Sequence, residues 1–157
     1  MDNFPAAFLK LMGNEGGYTV DNGGPTMWGV TQDVARAWGY TGDMKSLPKE
    51  TAFTIARVKY WNPNHCDDLD ERLAFQVLDA AYNGGHPIQW LQRACGAPVD
   101  GAYGAQTQKA ILGTDPLKMI MRFDAYRLLF MADLNVWPQA GRGWARRIAN
   151  NLLDAAE

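Results

Sequence analysis

Apolar residues recur every three or four positions over most of the chain, the spacing that places side chains on one face of an α-helix. Capping residues and prolines begin these stripes, and glycines follow their ends. The clearest stripe lies within 70–83 and consists of Leu73, Val77, Ala80 and Ala81. The pattern predicts seven or eight helices, at 4–12, 32–38, 48–61, 70–83, 86–95, 106–112, 116–135 and a last one after Gly141.

One segment breaks the helical pattern. Residues 16–30 contain five glycines and read as turns rather than as a helix or a buried strand. Any β-strands are therefore expected to be short and to lie there. The prediction is a mainly α-helical domain interrupted by one glycine-rich loop.

Size and composition indicate a single domain. The chain has 157 residues, of which 47% are hydrophobic, enough for one buried core. It has no internal repeat, low-complexity segment or Ser/Pro-rich linker. We therefore expect one domain over residues 1–157.

The charge and the N-terminal sequence restrict the partners. Fifteen Lys and Arg residues against 17 Asp and Glu residues give a net charge of −2, which argues against a nucleic-acid-binding protein. The N-terminus lacks the basic region of a signal peptide, and no apolar stretch is long enough for a membrane span. We expect a monomer made in the cytoplasm and, if it acts outside, released by another factor.

Glu15 is the first candidate for chemistry. It falls near the end of the first predicted helix, close to Met12, Tyr18 and Trp28 in the sequence. The negative end of a helix and apolar neighbours both disfavour an ionised carboxylate, and so both raise its pKa. A carboxylic acid that keeps its proton can protonate a glycosidic oxygen. The alternative is an ordinary solvated glutamate at a helix end.

Asp21 and Thr26 follow within the glycine-rich loop. Glycosidases commonly use a second carboxylate as a base, a nucleophile or a stabiliser of positive charge, and Asp21 is the nearest one. The Thr26 hydroxyl would position a water molecule. Alternatively, Asp21 stabilises an Asx turn over 21–24, and Thr26 closes the loop.

Three short motifs carry a resemblance to a known family. They are E-G-G-Y at 15–18, D-N-G-G-P-T at 21–26 and W-G-V-T at 28–31. In this order they resemble the signature of glycoside hydrolase family 108, the peptidoglycan N-acetylmuramidases of phage endolysins and bacterial lysozyme-like proteins. The resemblance implies a lysozyme-like helical fold, with Glu15 as the catalytic acid and Asp21 and Thr26 as its partners. Family members usually have several more residues before the second motif, where this chain has only Thr19 and Val20.

The second half resembles the predicted peptidoglycan domain that accompanies this motif. The matching segments are 60–61, 78–85, 91–92, 100–107 and 143–147. The resemblance divides the one domain into a catalytic half, 1–68, and a helical peptidoglycan-binding-like half, 69–157. Tyr18, Trp28 and Asn83 are the candidates for lining a substrate groove, since aromatic rings stack on sugars and amides bond N-acetyl groups. Asp79 is a weaker candidate.

The predicted function is that of a muramidase or endolysin. It would cleave the β-1,4 bond between N-acetylmuramic acid and N-acetylglucosamine in peptidoglycan, with Glu15 as general acid and no cofactor. Two alternatives remain open: a lytic transglycosylase, which needs no second carboxylate, and a non-catalytic peptidoglycan-binding module. Whether the mechanism retains or inverts the anomeric configuration depends on a carboxylate separation that the sequence does not contain.

Other constellations are weak. The run His65–Asp68 lacks the spacing of a zinc site, and no feature pairs Cys66 with Cys95, so no metal and no disulfide is predicted. A set of basic residues either contacts an anionic cell wall or forms a solvated face, and consists of Arg122, Arg127, Arg142, Arg146 and Arg147. The D-G-x-x-G-x-x-T pattern at 100–107 indicates a local turn device.

Overall fold

The computed structural model describes residues 2–157, with only the backbone of Glu15. It confirms a mainly α-helical fold with a small sheet. The chain forms two compact units, 1–63 and 64–157, and each is described by itself. The prediction of one lysozyme-like domain, with halves divided at 68, stays a prediction.

The N-terminal unit contains three helices and three short strands. Their bounds are α1, Phe4–Glu15; β1, Tyr18–Asp21; β2, Gly24–Met27; β3, Val30–Thr31; α2, Gln32–Trp38; and α3, Lys49–Ala56, which continues in a wider turn over Arg57–Trp61. The strands form one antiparallel sheet in the order β1-β2-β3. The strands thus lie within the glycine-rich segment, as predicted.

The core of this unit is aromatic. The ring of Phe4 lies 4.7 Å from that of Phe53 and 5.2 Å from that of Trp61, measured between centroids. Phe8 packs edge-on against Phe53 at 5.1 Å. Phe4 and Trp61 are fully buried. These contacts join the first two turns of α1 to α3 and to the turn that follows it.

The first helix is longer than predicted. It was expected to stop at Gly13 and Asn14, but it runs through both to Glu15. The chain leaves the helix at Gly16, where an added Cβ would lie 2.6 Å from the carbonyl oxygen of Met12. Glycine is therefore required at 16 and not at 13. Asn3 is at the N-cap position but its side chain makes no capping bond; the Asp2 carboxylate accepts from the backbone N–H of Phe4 instead.

The C-terminal unit contains the five remaining helices among the described residues. Their bounds are α4, Glu71–Tyr82; α5, Pro87–Cys95; α6, Ala105–Leu112; α7, Pro116–Ala132; and α8, Trp137–Ala155. Helix α7 packs against α4, α5 and α8. Asp70 and Asp115 cap α4 and α7, because their carboxylates accept from the N–H groups of Arg72 and Lys118.

The last helix begins earlier than expected, at Trp137 instead of after Gly141. Pro138 is tolerated because it falls in the first turn, where its missing N–H has no helical partner to lose. Glycine is needed at 141 because the Trp137 ring occupies the space of a side chain there: a Cβ at this position would lie 2.4 Å from the ring.

The 100–107 pattern is a turn device, as predicted, and a buried glutamine holds it. The Gln92 side-chain oxygen accepts from the N–H groups of Asp100 and Gly101, at 3.1 and 2.9 Å. Its Nε2 lies 2.7 Å from Asp100 Oδ1 and 3.1 Å from Thr107 Oγ1.

None of the helices in the described part of the chain has the length and apolarity needed to cross a bilayer.

Candidate active site

Glu15 is the last residue of α1, and the chain passes from it through Gly16 and Gly17 directly into strand β1. The predicted position at a helix C-terminus is therefore confirmed for the backbone. The Glu15 side chain lies outside the described part of the structure. Its expected apolar neighbours, Met12, Tyr18 and Trp28, thus remain a prediction.

Asp21 closes the hairpin between β1 and β2. It pairs with Gly24, and Asn22 and Gly23 form the two-residue loop between them. Its Oδ1 accepts a hydrogen bond from the Gly23 N–H at 2.7 Å, so the residue makes the Asx turn that was one of the two interpretations. This is the only side-chain hydrogen bond of Asp21 within residues 2–157. The carboxylate is exposed, and Oδ2 is free for another role.

The sheet places Asp21 and Thr26 on the same face. Thr26 pairs with Thr19 on β1 and with Thr31 on β3, and paired residues point to the same side. Asp21 is two residues beyond Thr19 and shares that face, whereas Tyr18 points to the opposite one. The hairpin therefore brings together the two predicted partners of Glu15 and separates Tyr18 from them.

Trp28 forms the tight turn between β2 and β3. It has a φ of 55° and Gly29 a φ of 72°, the left-handed pair required by a type I′ turn. The Trp28 Nε1–H donates to the carbonyl oxygen of Leu47 at 3.0 Å, which fixes the half-buried indole. Its ring faces the ammonium of Lys49 at 5.7 Å.

Tyr18 is likewise covered by a cation. The Lys45 ammonium lies 5.2 Å from the centre of the Tyr18 ring. Both aromatic groove candidates thus carry a positive charge over a ring face, an attraction of about 0.5–1 kcal/mol at exposed sites. This pairing was not expected from the sequence, because the lysines lie beyond α2.

Asn83 belongs to the C-terminal unit and is described with it. It follows the last residue of α4, and its Nδ2 donates to the carbonyl oxygen of Asp79 at 2.9 Å. The side chain is exposed. A groove role for Asn83 stays a prediction.

Asp79, the weaker groove candidate, is instead fully buried at the centre of an ion network. Arg127 donates to its Oδ2 at 2.7 Å, Arg147 donates to both of its oxygens, and Asn151 donates to Oδ2 at 3.0 Å. Burial by itself raises the pKa of Asp79, but the Arg147 and Arg127 guanidiniums outweigh it, so the pKa lies below its ordinary value. The carboxylate is held ionised.

Two of the five basic residues are therefore in neither expected place. Arg127 and Arg147 neither contact the cell wall nor form a solvated face, because both neutralise the buried Asp79. An aspartate within the apolar stripe of α4 was the signal that a buried ionic partner was needed. Arg122 also leaves bulk solvent in part, donating to the Ala94 carbonyl oxygen at 3.1 Å.

Asp124 is a second buried carboxyl in this unit, and reasoning from the sequence missed it. Neither of its oxygens has a hydrogen-bond partner in the described chain. Burial raises the pKa of Asp124 to about 7; the Asp79 charge adds to this shift and Arg127 opposes it. The group is therefore largely protonated in mildly acidic solution.

Among the side chains that the structure describes, no group of three or more His, Cys, Asp or Glu residues is placed to hold a metal ion. The segment His65–Asp68 forms a short turn, and the His65 ring stacks on that of Tyr103 with ring centres 4.2 Å apart. Cys66 and Cys95 are both free and buried.

The fold is mainly helical. Its first helix ends at a glutamate and leads into a small antiparallel hairpin that bears an aspartate and a threonine. These features are those of a lysozyme-like glycoside hydrolase. Residues 8–85 match the family described as Glycosyl hydrolase 108. The chain belongs to this family. It is a glycoside hydrolase that acts on peptidoglycan.

A solved structure supports the assignment over the whole chain. SagA of Brucella abortus is 30% identical in sequence and superposes with a TM-score of 0.88, covering 98% of this chain and 93% of its own. No curated protein sequence matches the chain. The family match includes all six predicted site residues but ends at residue 85, so the peptidoglycan-binding role of the second half stays a prediction.

Proposed function

We propose that the chain is an N-acetylmuramidase. It cleaves the β-1,4 bond between N-acetylmuramic acid and N-acetylglucosamine, and Glu15 protonates the glycosidic oxygen. The observation that carries this proposal is the junction at the end of α1, where Glu15 is followed within six residues by the hairpin turn of Asp21. Both residues lie in the segment that matches the family.

Asp21 supplies the second carboxylate. One oxygen is held by the turn, which orients the group, and the other is free to face a substrate. In this role the carboxylate stabilises positive charge at the anomeric carbon or activates a water molecule. Thr26, on the same sheet face, positions that water through its hydroxyl.

The charge around the hairpin suits this substrate. Peptidoglycan carries the carboxylates of its stem peptides next to each muramic acid. Lys45 and Lys49 place two ammonium groups beside Tyr18 and Trp28, on the same unit as the hairpin. Their attraction for an anionic strand raises its local concentration and weakens as salt screens it.

The products of wall digestion test the proposal. Purified peptidoglycan is digested with the full chain, and the soluble fragments are examined by mass spectrometry before and after borohydride reduction. A muramidase leaves N-acetylmuramic acid at the reducing end. Reducing-end N-acetylglucosamine would assign cleavage to the other bond, and 1,6-anhydro products would identify a lytic transglycosylase.

The proposed catalytic role of Asp21 can be tested separately from its structural role in the turn. In Asp21→Asn the amide oxygen still accepts from the Gly23 N–H, so the turn is retained while the charge is lost. We expect kcat to fall about 100-fold, the typical effect of removing one electrostatic contact to the transition state. The measurement is the release of reducing ends from purified wall.

Two companion variants complete this test. Asp33→Asn removes an exposed carboxylate from the first turn of α2 and is expected to keep full activity. Asp21→Ala removes the turn bond as well, and is expected to lower the free energy of unfolding by about 1 kcal/mol more than Asp21→Asn does. Full activity in Asp21→Asn would show that Asp21 has only a structural role, in the turn.

A further inference from the structure

The hairpin turn next to Asp21 contains an asparagine followed by a glycine. Asparagine is a chemically labile residue, because the backbone nitrogen that follows it can attack its side-chain amide. A glycine in the next position favours this attack, since it has no side chain to obstruct it. The sequence contains two such pairs, Asn22–Gly23 and Asn83–Gly84. The sequence by itself does not distinguish their reactivity.

The two pairs differ in what holds the asparagine side chain. Exposure does not separate them, because both asparagines are exposed. The side-chain amide of Asn83 is held, since its Nδ2 donates to the carbonyl oxygen of Asp79 at 2.9 Å. The Asn22 side chain makes no hydrogen bond within the described part of the chain. Its amide carbon can therefore turn toward the Gly23 nitrogen without breaking a contact there.

The attacking nitrogens also differ. The Gly23 N–H donates to Asp21 Oδ1 at 2.7 Å, and a Cβ at Gly23 would lie 3.2 Å from the same oxygen. The Gly84 N–H donates to the carbonyl oxygen of Ala81 at 3.3 Å. A carboxylate can remove a proton from the group that it bonds, whereas a backbone carbonyl does not act as a base. Of the two nitrogens, only that of Gly23 is thus paired with a base.

We propose that Asn22–Gly23 is a self-modification site of the chain, with Asp21 as the base. Asp21 takes the proton of the Gly23 N–H, and the Gly23 nitrogen attacks the side-chain carbonyl carbon of Asn22. The new C–N bond closes a succinimide ring. The bond to the side-chain amide nitrogen breaks, and this nitrogen leaves with the proton as ammonia. Water then opens the ring at either carbonyl carbon and yields aspartate or isoaspartate.

Both products change the turn that orients Asp21. Each adds a negative charge beside the Asp21 carboxylate, and isoaspartate also adds a methylene to the main chain. The loop between the paired residues Asp21 and Gly24 contains only Asn22 and Gly23, so a longer main chain displaces the N–H that holds Asp21 Oδ1. We therefore expect the conversion to lower wall-degrading activity, and this part of the inference rests on the proposed function.

Peptide mapping of the aged full chain tests the site. The purified protein is kept in mildly alkaline buffer, and digests are analysed by mass spectrometry, in which the acid is heavier than the amide and electron-based fragmentation identifies isoaspartate. We expect Asn22 to convert at least about tenfold faster than Asn83, the factor that one or two ordinary hydrogen bonds supply. In guanidinium chloride the two rates should agree to within about twofold, because unfolding removes these contacts.

Asp21→Asn tests the base. The amide oxygen still accepts from the Gly23 N–H, but it cannot take the proton. The rate of conversion at Asn22 should fall at least about tenfold, whereas the rate at Asn83 in the same sample should not change. The matched control is Asp33→Asn, at an exposed aspartate outside the turn, and its Asn22 should convert at the parental rate.

Asn22→Gln links the modification to activity. The longer side chain keeps the amide, but it would have to close a larger ring, which forms more slowly. During the incubation this variant should keep its initial wall-degrading activity, while that of the parent falls in step with conversion at Asn22. Other products from the fresh parent would refute the proposed function alone, because the mass change at Asn22 is measured without a substrate.

Any of the following results overturns the proposal. They are equal conversion of Asn22 and Asn83 in the folded chain, an unchanged rate at Asn22 in Asp21→Asn, and undiminished activity of a parent whose Asn22 has been converted. The first is measured on the parent, so it decides even where a variant does not fold.

Discussion

Glu15→Gln is expected to lose nearly all wall-degrading activity while the fold is retained. The amide has the size of the acid but has no proton to deliver to the glycosidic oxygen. General acid catalysis contributes about 10²–10⁴-fold to a rate, so we expect kcat to fall by that factor. Clearing of a turbid wall suspension and release of reducing ends measure the loss, and circular dichroism checks the fold.

The matched control is Glu71→Gln. Glu71 is an exposed glutamate in the first turn of α4, so the same chemical change is made on a surface of the C-terminal unit. This variant should clear the suspension at the parental rate. Both variants should sediment with insoluble wall alike, because only the proton donor has been removed. Parental turnover by Glu15→Gln would refute the assignment of the general acid.

The second large effect concerns stability and pH. The pKa of Asp124 is about 7 in the folded chain against an ordinary value of 3.8, mainly because of burial. The protonated form favours the fold, so this contribution is complete below about pH 4 and is lost as the pH rises to 7. One pKa unit corresponds to 1.36 kcal/mol, and from pH 5 to pH 8 the parent should lose about 3 kcal/mol from this group.

Asp124→Asn removes the titration and keeps the shape of the side chain. The difference in unfolding free energy between variant and parent should therefore move in favour of the variant by about 3 kcal/mol from pH 5 to pH 8. Urea denaturation at each pH measures it. Asp79 does not contribute in this window, because its lowered pKa keeps it ionised throughout. The control is Asp133→Asn, at an exposed position later in the same unit, and its unfolding free energy should show no such trend. A pH-independent difference between Asp124→Asn and the parent would contradict the prediction.

Local signals were sufficient for most of the helices. Thr31 caps α2 by accepting from the Val34 N–H, and Gly39 ends that helix with a φ of 103°, so the helix has the predicted bounds of 32–38. Such signals work because caps and left-handed glycines act within a few residues. The errors fell at Gly13 and Gly141, where glycine lies inside a helix. There the deciding contacts were a carbonyl at Gly16 and the ring of Trp137, and a spacing rule contains neither.

The sequence by itself determined the fold class and the short strands in the glycine-rich segment, because periodicity, capping and turn chemistry are local. Only the tertiary structure decided that Asp21 and Thr26 share a sheet face and that Tyr18 does not, since strand register sets the side of each residue. It alone paired Asp79 with Arg127 and Arg147. Arg127 and Arg147 follow Asp79 by 48 and 68 residues along the chain. A buried charge in the sequence indicates that a counter-charge is needed, but it does not indicate where in the chain that counter-charge lies.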